Sequence, residues 1–192
     1  MKATIAETRG KINQQIRASI DAKGKLSVED IAAAADTIAS ALTAGKKILL
    51  CGNGGSAADC QHIAGEFVGR FKKERAAWPA VALSTDTSVL TALTNDYGVD
   101  IVFSRQVEAL GQEGDVLMAF STSGTSPNVI KAVEEARKRK MMVIGFTGSR
   151  GAKLKSLSDV CIMAASDDTP RIQECHITAA HIICGLVEDA LF

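Results

Sequence analysis

Ile48-Leu-Leu-Cys51 runs straight into Gly52-Asn-Gly-Gly-Ser-Ala-Ala-Asp59, and this stretch decides the fold. Four apolar residues without alternation describe a strand covered on both faces, and the glycines turn it directly into a helix. That is how a parallel sheet with helical crossovers begins. The same short apolar run returns at Val81-Ala-Leu83, at Val116–Phe120, at Met142–Phe146 and at Val160–Met163. Between the runs lie helical stretches at about 57–71, 88–110, 127–139 and 169–191. The expectation is an α/β fold: a doubly wound five-stranded parallel sheet flanked by helices over residues 46–192.

Working outward, residues 1–45 carry no strand signal. Ile5, Ile12, Ile16 and Ile20 recur at helical spacing, and Ser27-Val-Glu-Asp30 reads as a capping box, with Asp30 in place of the usual Glu, opening a second helix that stops near Gly45. Ala32 to Ala35, Ala39, Ala41 and Ala44 make this helical pair rich in small residues. Because later helices are expected to cover the sheet, the pair is predicted to serve oligomerisation, packing on another copy of the chain. No repeat, low-complexity tract or long linker divides residues 1–192, so a single domain is predicted.

The composition narrows the partners. Lys+Arg and Asp+Glu are both 22, so no net charge draws the chain to nucleic acid or an anionic membrane. Five cysteines, odd in number and without a C-x-x-C pair, suit reduced thiols in a cytoplasmic protein. No run reaches the ~18 apolar residues of a membrane span, and Met1–Gly10 has no apolar signal core; neither export nor insertion is expected.

Two strand ends are built for an anion. The first is the glycine loop at Gly52–Gly55, where backbone can approach a ligand and Ser56 opens a helix. The second is Ser121-Thr-Ser-Gly-Thr-Ser-Pro127, where hydroxyls cluster around Gly124, Ser126 can cap, and Pro127 suits the first position of a helix whose N–H groups and dipole favour an oxyanion. Neither has the spacing of a Walker A or dinucleotide loop, so no nucleotide cofactor is expected, and a phosphomonoester is the natural guest. Either loop alone is equally what joins a strand to a helix. Two at equivalent strand ends favour function.

His62 and Glu66 lie four apart on the helix after the glycine loop, and Gln173 and His181 lie eight apart, about 80° around the last helix. If the two helices pack together, these four groups can converge as zinc ligands or as a general acid and base. Spacing does not choose between those uses. Nor does it exclude a core role for His181, a surface pair of Glu66 with Arg70, or His176 as a further candidate; Glu174 and Cys175 read as structural.

Taken together, Cys51–Asp59, Gln61-His-Ile-Ala-Gly-Glu-Phe67, Leu83-Ser-Thr-Asp86, Leu93-Thr-Asn-Asp-Tyr-Gly98, Phe120–Asn128 and Ile172-Gln-Glu-Cys-His-Ile177 resemble the phosphoheptose isomerases of the sugar isomerase (SIS) family across nearly the whole chain. The resemblance implies a SIS fold of the flavodoxin-like type, a homotetramer, and interconversion of sedoheptulose 7-phosphate with D-glycero-D-manno-heptose 7-phosphate, the first step of bacterial heptose biosynthesis. It implies substrate contacts from Asn53, Gly54, Gly55, Ser56, Glu66, Asn95, Asp96, Ser121, Thr122, Ser123, Ser126 and Gln173. Glu66 and His181 match the proton-transfer pair, and His62, Glu66, Gln173 and His181 match a zinc set, one ion per subunit, found in some members. Two alternatives stay open: a SIS isomerase of another sugar phosphate, and a non-catalytic SIS relative that binds the replication initiator. The latter typically lacks the equivalents of Glu66 and His181.

Overall fold

The computed structural model describes residues 4–192. Its elements run α1 (Ile5–Lys23), α2 (Val28–Thr43), β1 (Ile48–Gly52), α3 (Gly55–Val68), β2 (Ala80–Ala82), α4 (Thr87–Tyr97), a 3-10 turn (Val99–Ile101), α5 (Ser104–Leu110), β3 (Val116–Ser121), α6 (Pro127–Lys138), β4 (Met142–Thr147), α7 (Ala152–Leu157), β5 (Val160–Met163) and α8 (Thr169–Leu191). The five strands form one parallel sheet in the order β2-β1-β3-β4-β5. The chain leaves β1 toward one edge and returns to its other side as β3, so the order reverses between β1 and β3. That gap, beyond the carboxyl ends, is where such sheets bind ligands. Register pairs Gly52 with Phe120, so the glycine and hydroxyl loops leave the sheet side by side.

Both faces are covered, which is why the strands read as unbroken apolar runs. On one face Ile48, Leu50, Met118, Phe120 and Ile144 meet α2, α3 and α8; on the other Leu49, Cys51, Leu117, Ala119 and Val143 meet α5, α6 and α7. Alternate residues of one strand therefore enter different cores.

The helical pair departs from expectation. One face of α2 serves this chain itself, because Ile31, Ala34, Ala35 and Ile38 are buried in its own core against the sheet and α8. Small residues there allow close helix packing inside the chain. Ser27 caps α2 by accepting from the Asp30 N–H at 3.1 Å, without the reciprocal arm of a capping box. α1 packs along α8 but leaves Ile5, Ile12, Ile16 and Ile20 between 53% and 81% exposed, an apolar stripe with no cover in this chain. The stretch 88–110, expected as one helix, is three pieces: Gly98 at φ 88° ends α4, and the 3-10 turn leads into α5. α7, six residues long, is an element that periodicity did not reveal.

Candidate active site

α3 and α8 lie side by side and run the same way. Near the start of α3, the Gln173 amide packs so closely on Gly55 that a Cβ there would come within 2.5 Å of its Nε2. Midway, His62 meets His181, and at the far end Gly185 lies beside Phe71. His62 and Glu66 share a face because they are one turn apart, and His181 reaches the same point from α8. His62 Nε2 is 3.0 Å from Glu66 Oε1 and 2.9 Å from His181 Nε2, and the three ligand atoms all lie within 4.8 Å of one another.

This geometry decides several questions that spacing left open. His181 is not a packed core histidine, and Glu66 turns toward His62, whereas Arg70 pairs with Glu74. Three of the four expected groups converge; Gln173 is held at Gly55, eight residues and about 12 Å along the helix axis from His181. His176 does not join them. It is fully buried against the stacked rings of Phe120 and Phe146, and burial pushes its pKa down to about 4, opposed only by the Thr147 backbone.

Burial also lowers the His181 pKa, His62 lowers it further, and Glu66 works against both. A neutral imidazole at neutral pH follows, with a lone pair or an N–H to offer. Two neighbours were not singled out by sequence. Asp59, one turn before His62, has its carboxyl pKa raised by burial and partly restored by His62, and its Oδ2 has no hydrogen-bond partner. Phe71 stacks on the His181 ring at 5.6 Å and 19°. Both lie in regions whose local sequence pattern gives no sign of the contact.

The donor set suits a metal ion. If His62 Nε2 carries the proton, that one N–H must serve both Glu66 and His181; if His181 carries it, the Glu66 carboxylate faces a lone pair. A cation satisfies all three at once. Two imidazoles and a carboxylate are zinc-type ligands, and the separations of His62 Nε2 from His181 and from Glu66, 2.9 and 3.0 Å, approach the ~3.3 Å that tetrahedral bonds of about 2.0–2.1 Å impose. Among the described residues, this His62, Glu66, His181 cluster is able to hold a metal ion.

The hydroxyl loop is organised from within. The Ser126 hydroxyl sits 2.8 Å from Ser121 Oγ and so does not cap α6, while Ser123 Oγ accepts from the Thr125 N–H at 3.2 Å. At the start of α6, Pro127 has no N–H, the Val129 N–H goes to Asn128 Oδ1 at 3.0 Å and the Ile130 N–H to the Ser126 carbonyl at 3.0 Å, which leaves the Asn128 N–H for an anion. Gly124, at φ 68°, is required for the turn, since a Cβ would lie 2.3 Å from Gly151 Cα. Asn53 and Asn128 exchange two 2.9 Å amide bonds, tying the glycine loop to the start of α6. Thr122, Ser123 and Thr125 line a concavity of about 310 Å³ with Arg150; His181 lines another of about 310 Å³ with Phe71. Gly54 caps α3 without a side chain, and Ser56 is buried one residue inside that helix. Asn95 and Asp96 are exposed on α4, bonded to each other at 2.8 Å and apart from the cluster.

Comparison with known proteins agrees with this architecture. The SIS-domain profile matches residues 12–148. Phosphoheptose isomerases are similar over most of the chain: that of Burkholderia pseudomallei is 56% identical over 82% of this chain and 80% of its own, and that of Roseiflexus sp. is 52% identical over 93% and 92%. Among solved structures, the phosphoheptose isomerase of Neisseria gonorrhoeae superposes with a TM-score of 0.87 at 45% identity, covering 97% of this chain and 100% of its own. That of Francisella tularensis gives 0.89 at 36% identity, covering 98% and 100%. With its sheet order, its paired loops and its His–Glu–His cluster, the chain belongs to the SIS family and, within it, to the phosphoheptose isomerases.

Proposed function

We propose that the chain interconverts sedoheptulose 7-phosphate and D-glycero-D-manno-heptose 7-phosphate through an enediol, the entry to ADP- or GDP-heptose in bacteria. The single observation that carries this is the convergence of Glu66 and His181, from separate helices, on one point. A replication-initiator binder would have no use for that pair.

Aldose–ketose exchange removes a proton from the carbon beside a carbonyl and returns one to its neighbour. Glu66 Oε1, fixed by His62, is the base that takes the carbon-bound proton. His181, neutral and stacked on Phe71, serves as the acid toward the substrate oxygen that becomes a hydroxyl. Atoms within 4.8 Å of each other leave too little room to flank a carbon from opposite sides, since each needs about 2.6–3.2 Å to its partner. The two groups therefore work along one edge of the substrate. Zinc held by His62, Glu66 and His181 would polarise the carbonyl or the developing enediolate; Gln173, the fourth residue of the family set, is held at Gly55 in this chain, away from the other three.

Ser121, Thr122, Ser123 and Ser126 hold the phosphate at the start of α6, and Asn53, Gly54, Gly55, Ser56 and Gln173 line the way to the reacting carbons. Asn95 and Asp96, exposed in this chain, suit contact with substrate across a subunit boundary. The uncovered isoleucine stripe of α1 supports assembly of several copies, with a homotetramer the form the family implies. Five free, buried cysteines support a cytoplasmic setting, and no described helix is long and apolar enough to cross a membrane.

The test is a direct isomerase assay on sedoheptulose 7-phosphate with purified protein, as prepared, after chelation, and after zinc is restored. Turnover that falls on chelation and returns with zinc is expected. No turnover in any of the three preparations would end the proposal; turnover indifferent to chelation would remove the metal from it.

A further inference from the structure

Residues 69–79 join α3 to β2, yet this segment is fastened at nearly every step. The Glu188 carboxylate accepts the N–H groups of Phe71, Lys72 and Lys73 at 3.0, 2.8 and 3.0 Å, and Arg75 Nε at 3.0 Å. Arg75 donates to the carbonyls of Glu66 at 2.7 Å, Phe67 at 2.9 Å, Gly69 at 3.4 Å and Ala76 at 3.1 Å. Its guanidinium lies 3.6 Å over the ring of Trp78. The two side chains are 0% and 2% exposed.

The carbonyls of Glu66 and Phe67 belong to the last turn of α3, where helix carbonyls have no partner of their own. Arg75 satisfies that of Glu66, shares that of Phe67 with the Trp78 N–H at 3.1 Å, and is itself held by α8 through Glu188. A buried ion pair is costly to desolvate and is weak evidence of stability alone; its better attested use is to fix one arrangement. Here the arrangement is that of the site. The Arg75 bond at 2.7 Å grips the Glu66 peptide itself, and the loop anchored on Glu188 presents Phe71 to the His181 ring. Glu188 lies seven residues, two turns, beyond His181 on the same side of α8.

We propose that Arg75 and Glu188 form a positioning pair that sets the distance between Glu66 and His181 by capping α3 and locking its end to α8. This rests on the reading of Glu66 and His181 as the reacting groups. The pair touches no substrate; it acts through the peptide of Glu66 and the ring of Phe71.

The test compares the intact protein with Glu188→Gln, Arg75→Lys and Arg75→Met. Circular dichroism gives the folded fraction, and kcat and KM for sedoheptulose 7-phosphate are measured separately. Zinc affinity is read by competition with a chromophoric chelator, and the emission of Trp78, the chain's one tryptophan, reports on the loop. In folded Glu188→Gln, kcat and zinc affinity are each expected to fall about ten- to a hundredfold, with KM within about twofold and Trp78 emission shifted. Arg75→Lys should recover part of what Arg75→Met loses. The inference is overturned if kcat and zinc affinity stay within about twofold of the parent in the folded variants, or if the loss merely tracks the unfolded fraction. Should Glu188→Gln not fold, the two Arg75 variants are judged by the same criteria. If the parent protein lacks isomerase activity, the functional reading fails by itself, and zinc affinity and Trp78 emission still decide on the pair.

Discussion

At the cluster, His62 Nε2 stands between a carboxylate and a second imidazole with one proton to share, and the cheapest remedy is a cation or a substrate oxygen. Side chains are left this way where chemistry needs them, whereas at Glu188 every acceptor is used. Burial alone would raise the Glu188 pKa, but three backbone N–H groups and the Arg75 guanidinium outweigh it and bring the value from the ordinary 4.5 down to about 2. A carboxyl with a lowered folded pKa adds stability that is complete above its unfolded value and is lost as pH falls through the folded one. Unfolding midpoints in denaturant should therefore drop between pH 4.5 and about 2, and Glu188→Gln should flatten that part of the profile. An equally steep decline in the variant would show that other carboxylates are responsible.

Elements differ in how far sequence alone foretold them, and the reason is physical. The five strands were readable because a strand covered on both faces has only one kind of composition, and β2 departs from expectation by a single position, Ala80–Ala82 in place of 81–83. The loops after β1 and β3 were readable because glycine and hydroxyl residues have few other reasons to sit at strand ends. Helix breaks were harder: Gly98, whose φ of 88° stops α4, looks like a tolerated helix glycine until its dihedral is known. In the site, His62 and Glu66 followed from helical geometry, but the meeting with His181 and the grip of Arg75 on Glu188 join residues more than a hundred positions apart, which no local pattern records. The burial of one face of α2 within the chain was not legible because alanine packs as well inside a chain as between chains. Its fully buried Ile38 now makes a prediction: Ile38→Ala should cost about 2–5 kcal/mol by denaturant unfolding, as for a core side chain. A cost below about 0.5 kcal/mol would mark α2 as a surface helix after all.

For the whole molecule, this packing leaves an apolar stripe uncovered on α1, where Ile16 is 54% exposed in line with Ile5, Ile12 and Ile20. Exposed apolar stripes of this kind mark contacts with other chains. Ile16→Glu should lower the molar mass measured by light scattering while leaving the unfolding midpoint of the isolated chain little changed; an unaltered mass would place the subunit contact elsewhere. Isomerisation by this chain turns on Glu66. Its amide analogue keeps the size and the helix but cannot take a proton from carbon. Glu66→Gln with native circular dichroism should lose about 10²–10⁴ in the rate at which sedoheptulose 7-phosphate is isomerised and in the exchange of its carbon-bound proton with deuterated water. A folded Glu66→Gln protein that isomerises and exchanges at the parent rate would contradict the mechanism at its first step.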